Sequence, residues 1–173
     1  MSRSNRTLTQ FVVNKLRQAM VYGLETVVSE RAGNTQVETD LTTHYTSCPS
    51  CDRPSLLVVR LFDKEIVRLF FSPINSRSVC GVRISTGDFY DSKGRPSRTT
   101  RERLNGILDA LGAAKFLPEG VRVFIHPETE QCCIGRGTSC KTFDSGSPKV
   151  LLLSHPKDLV FSWGMIAEWY TEV

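Results

Sequence analysis

The stretch SLLVVRLFDKEIVRLFF, residues 55–71, decides the fold. Two apolar runs rich in β-branched and aromatic residues, 55–62 and 65–71, flank Asp63 and Lys64, and that pattern predicts a buried β-hairpin with a tight polar turn. On its amino-terminal side the period is two. Val37, Thr39, Leu41, Thr43 and Tyr45 alternate with Glu38, Asp40 and His44, as in a strand with one face in solvent. On its carboxy-terminal side PINSRS, 73–78, is a loop and VCGVRIS, 79–85, a further strand. Hairpins need no crossover connection, so the expected sheet is antiparallel.

Helices flank this core. Thr7 with Gln10 forms a capping box, and Leu8, Phe11, Val12, Leu16, Ala19, Met20, Leu24, Val27 and Val28 follow a helical period, predicting a helix over 8–29. Gly23 is a weak point or a close contact within it, and Gly33 with Asn34 ends it. A second capping box, Thr99 with Glu102, starts a helix near Thr100 whose apolar side is Leu104, Ile107, Leu108 and Leu111, with Gly112 as its stop. Residues 121–126 and 131–135 form a second hairpin, 135–148 a long Gly- and Ser-rich loop, and 149–155 the last strand. Residues 156–173 are compatible with helix or strand. The expectation is an α+β fold: a single antiparallel sheet of five to seven strands, carrying a long N-terminal helix and a second capped helix, in one domain over 1–173.

Composition narrows the class. With 40% hydrophobic and 23% charged residues in 173, the chain is neither fibrous nor disordered, and no apolar run reaches the roughly 18 residues of a membrane helix. The amino terminus, MSRSNRTLTQ, lacks the apolar stretch of a secretory signal. The expectation is therefore a cytoplasmic protein whose six cysteines are reduced. The net charge of +4 is unevenly spread, with +5 over residues 60–103 and −2 over 104–173.

The basic part is concentrated in KGRPSRTTRERLN, 93–105, where cations crowd a helix start whose free amides already favour an anion. One reading is a phosphate grip by Lys93, Arg95, Arg98, Thr99, Thr100, Arg101 and Arg103, with Phe89 and Tyr90 stacking bases, because the guanidinium fork binds two oxygens at once. The other is a solvated helix face whose arginines pair with Glu102, Asp88 and Asp91. The same stretch resembles a small domain frequent among uncharacterised bacteriophage proteins. Gly94, Ser97, Thr99, Thr100, Arg101, Arg103, Leu104 and Asn105 match its pattern G-aromatic-x-S/T-x-T-T-K/R-x-R-L/I-N, with Arg95 in the aromatic position. The resemblance covers 79–134 and implies phage origin, without implying an activity.

Other chemistry is sparse. His44, Cys48 and Cys51 form H-x3-C-x2-C, half of a zinc site, with Cys80, Cys132, Cys133 or Cys140 available as a fourth ligand; zinc is the one cofactor this spacing suggests. Plain thiols are the alternative. His126 and His155 each precede a proline at a strand end, and no nucleophile, metalloprotease, P-loop or dinucleotide fingerprint is present in the sequence. Trp163 and Trp169, with Met165, Ile166 and Tyr170, are core packing or a protein-binding patch. The function expected from these residues is a phage-encoded binding or regulatory protein that acts on a host macromolecule without catalysis. The alternative is a nucleic-acid-binding accessory protein using 93–103. A nuclease or hydrolase would need an acidic metal site at Asp88 and Asp91.

Overall fold

The turn that organises the molecule is Phe62–Asp63, one residue earlier than the sequence suggests. In a computed structural model, which describes residues 4–41, 55–72, 75–84, 97–117, 119–129, 132–136, 139–142, 149–152 and 169–171, both turn residues are left-handed, with φ of 52° and 65°. They join β3 (Ser55–Leu61) to β4 (Lys64–Phe71). A register shift between Val59 and Arg60 leaves Ile66 as an extra residue, since Val59 opposes Val67 and Arg60 opposes Glu65. The bulge lets two adjacent residues, Ile66 and Val67, both be buried.

This hairpin lies inside a seven-stranded antiparallel sheet. Its neighbours are β2 (Thr35–Asp40), which pairs with β1 (Glu30–Ala32), and β5 (Val79–Ile84), which pairs with β9 (Lys149–Leu152) and through it with β10 (Trp169–Thr171). The order is β1-β2-β3-β4-β5-β9-β10. Leu57, Val59, Leu69, Phe71, Val82 and Ile84 share one core with Val12, Leu16 and Ala19 of α1 (Asn5–Tyr22) and with Leu104, Ile107, Leu108 and Leu111 of α2 (Arg98–Ala113). Leu56, Val58 and Phe70, at alternating positions, are buried as well. Phe70 packs over Gly81 on the next strand, where a Cβ would meet its Cδ2 at 3.1 Å, so a glycine sits in that strand interior.

The α+β class stands, but the sheet is not single. Residues within the expected loop at 135–148 form β8 (Ser139–Thr142), which pairs with β7 (Cys132–Arg136); β7 pairs in turn with β6 (Arg122–Ile125) as a separate three-stranded sheet. This sheet packs on α2 instead of extending the larger one. Asn105 explains the separation: its Nδ2 donates to the Val123 carbonyl (3.1 Å) and its Oδ1 accepts from the Val123 amide (2.7 Å). Edge strand β6 is thus already paired at that position, by a helix side chain.

Both helices differ from expectation at their ends. Ser4 caps α1 and Ser97 caps α2, each hydroxyl accepting from the amide three residues on. Thr7 and Thr99 are therefore not the caps, because a serine three or two residues upstream takes that place. Helix α1 stops at Gly23, φ 104°, and not near Ser29. The Glu25 carboxylate folds into the space a Cβ on Gly23 would fill, and a short 3-10 turn, Leu24–Thr26, leads into β1. The helical period of Val27 and Val28 was coincidental. The left-handed residue after α2 is Lys115, φ 64°, whose amide bonds the Gly112 carbonyl, so Gly112 itself stays helical.

Candidate functional site

Helices α1 and α2 run parallel. Asn5 and Thr9 meet Arg103, and Thr9 and Val13 meet Gly106, so residue numbers rise together along the contact and both amino ends lie at one end of the molecule. A Cβ on Gly106 would stand 2.6 Å from Thr9 Cγ2, which marks the point of closest approach. Neither helix has an acidic residue in its first turn. Two partial positive charges, each about half an elementary charge, therefore stand side by side with no acidic residue in either first turn.

Between the amino-terminal halves of these helices is an open groove of ≈ 850 Å³. Asn5, Arg6, Thr9 and Gln10 line one wall, Arg98, Thr99 and Glu102 the other, and Gly106, Asp109 and Arg122 its far end. Arg98 is 86% exposed and pairs with Glu102 at 2.8 Å, while Arg122 pairs with Asp109 at 3.4 Å. Arg6 is exposed and pairs with no carboxylate among the described residues. The groove is amphoteric, and among the described residues that line it there is one more cation than there are acids.

Beneath it lies Arg103, the largest fully buried side chain among the described residues. Its Nε donates to Thr35 Oγ1 (3.2 Å), and its Nη1 to the Asn5 carbonyl (2.8 Å), Thr9 Oγ1 (2.7 Å) and Asn5 Oδ1. Its Nη2 has no hydrogen-bond partner among the described residues. Burial lowers its pKa from the ordinary guanidinium value, and the charge of Glu102 offsets that only in part. One side chain of α2 thus ties the first turns of α1 to the start of β2.

The proposed phosphate residues consequently divide. Arg98 and Thr99 face the groove. Thr100, with no exposed surface, shares hydroxyls with Ser97 at 2.7 Å, and Arg103 is internal; neither faces an external phosphate. Arg101 is half-buried. Lys93, Arg95, Phe89 and Tyr90 lie outside the described residues, as do His44, Cys48, Cys51 and Trp163. Trp169 pairs with Leu151 in β10, Cys133 is buried, and the side chains of Cys80, Cys132, Cys140 and Trp169 are likewise outside the description. Among the described residues no three His, Cys, Asp or Glu side chains come together as a metal site, and no helix is long and apolar enough to cross a membrane.

Arg103 carried a sequence signal of its own. Thr100, Arg103, Leu104, Ile107, Leu108 and Leu111 fall at i, i+3, i+4, i+7, i+8 and i+11, so the periodicity that identified the core face also included the threonine and the arginine. For Asn5, Arg6, Thr9, Gln10, Asp109 and Arg122 there was no signal, because the groove exists only once the two helices are packed. No protein-family model, curated protein sequence or solved structure matches the chain.

Proposed function

We propose that this is a phage-encoded, non-catalytic binding protein that acts on a host macromolecule in the host cytoplasm, and that the α1–α2 groove is its contact surface. The observation that carries the reading is the groove itself: an open, mixed-charge cleft on a closely packed helix pair, with Arg6 and Arg98 exposed in it. A protein surface is the better match. Two of the three guanidinium groups among its described residues are already neutralised by Glu102 and Asp109, and a phosphate chain would have to displace those carboxylates. A protein surface of alternating sign can pair with both. The resemblance of 94–105 to a phage domain supports the origin.

A nucleic-acid-binding role is favoured by one specific feature, the paired helix amino ends beside Arg6, which pairs with no carboxylate among the described residues. The two readings separate in one experiment. Tagged protein recovered from its native cell, with and without nuclease, is compared with the Arg6→Glu, Arg98→Glu double variant. A protein partner that survives nuclease and falls at least about tenfold with the variant supports the proposal, since close charge pairs across interfaces couple by more than about 1.4 kcal/mol. Loss of every partner on nuclease treatment supports the second reading. Equal recovery with both proteins removes the groove from either.

A further inference from the structure

Phe62 stands at the tip of the β3–β4 hairpin, 66% exposed, with a backbone φ of 52°. Both features work against a phenylalanine. Two-residue turns with left-handed central residues select Asn, Asp or Gly, because a bulky side chain is strained there. Asp63, φ 65°, conforms to the preference and Phe62 does not. An exposed ring also forgoes the burial that makes aromatics useful to a fold. Strained residues of this kind concentrate where a protein makes contact with something else.

The tip is also held still. The Phe62 amide donates to the Asn34 carbonyl at 2.8 Å, Arg31 pairs with Asp63, and Leu61 behind it is buried. From Asn34 a run of hydrogen bonds continues through Thr35 Oγ1 and Arg103 to Thr9 and Asn5 in the groove wall. The tip and the groove therefore belong to one braced end of the molecule.

We infer that Phe62 is a preformed aromatic anchor that inserts into an apolar socket on a protein partner. The inference rests on the binding-protein reading and gives that interface a second point of attachment. A protein is favoured over a nucleic acid by the charge around the ring. Base-stacking platforms combine aromatics with free cations that follow the phosphates, whereas Arg31 at this tip is committed to Asp63 and Lys64 beside it is not free either. A rigid ring entering a socket loses little conformational freedom, which is why aromatics dominate interface centres.

The test uses Phe62→Asn, the residue the turn prefers. Its Tm equals or exceeds that of the wild type, so a loss of binding is not a loss of folding. Immobilised wild type, Phe62→Asn and the equally exposed control Val28→Asn (Val28 is 70% exposed) are challenged with nuclease-treated soluble extract of the host cell. The protein retained by the wild type binds Phe62→Asn about 30-fold more weakly, as expected for an anchor residue, and Val28→Asn unchanged. In parallel, in extract left untreated with nuclease, p-benzoylphenylalanine at position 62 crosslinks to that same protein, and excess wild type, but not Phe62→Asn, suppresses the adduct. A wild type that retains nothing overturns the binding reading and this inference together. A retained partner that binds Phe62→Asn equally overturns the role of Phe62 alone. A crosslink to nucleic acid overturns the protein class, and a lowered Tm for Phe62→Asn overturns the claim of strain.

Discussion

Arg103→Ala removes the guanidinium that joins α1 to β2, and its cost can be worked from what each partner retains. Thr35 Oγ1 still donates to Asn34 Oδ1 at 3.0 Å, while Asn5 and Thr9 are only half-buried and can recruit water. The freed acceptors then cost about 1–2 kcal/mol, partly offset because a charge no longer has to be buried. The larger contribution is the hole left by the fully buried side chain, about 3 kcal/mol by analogy with other large-to-alanine changes. The expected total is about 4 kcal/mol, or a fall in Tm of about 8–16 °C for a chain of this size. Arg103→Met refills the volume without the charge and should cost about 1 kcal/mol or less. Thermal unfolding followed by circular dichroism, with urea midpoints as a second measure, reads both. An Arg103→Ala protein within about 1 kcal/mol of the wild type would refute the reasoning, and so would Met proving worse than Ala.

Two further perturbations address the joints on either side of that residue. Gly106→Ala, which on helix propensity alone should help, is expected to destabilise by about 1–3 kcal/mol because its Cβ would sit 2.6 Å from Thr9 Cγ2; adding Thr9→Ser removes that methyl and should restore much of the loss in a double-mutant cycle. Asn105→Ala removes both the acceptor for the Val123 amide and the donor to its carbonyl, so hydrogen exchange at Val123 should quicken by about tenfold or more while amides in β3 and β4 stay protected; uniform quickening would mean that Asn105 does not act locally.

The central hairpin was legible because two β-branched runs around a polar pair have few other solutions. The buried side of α2 was legible for the equivalent reason, a period carried by Leu104, Ile107, Leu108 and Leu111. Where the reading failed, a local rule competed with a contact distant in sequence. Val27 and Val28 continued a helical period, but Glu25 folding over Gly23 and the pairing of β1 with β2 ended the helix first. Residues 139–142 have the composition of a loop and become a strand only because β7 offers an edge. For Arg103 charge suggests solvent, whereas its burial depends on Thr35, 68 positions away, and no local pattern marks that pairing. The groove was illegible for the same physical reason: its walls come from helices separated by most of a sheet.

The neighbouring positions of β5 and β9 have a consequence for how the chain is made. Strands β1 to β5 form an uninterrupted meander of sequence-adjacent pairs, so they can assemble as soon as the first half leaves the ribosome. Strand β9 joins by register pairs such as Ile84↔Lys149, after α2 and the whole small sheet have been synthesised. During that interval the outer rim of β5 is an open template, and of the two helices that share the Leu57 and Val59 core only α1 is present until α2 emerges. The nascent chain is thus most vulnerable to mispairing with its neighbours between the completion of β5 and the arrival of β9.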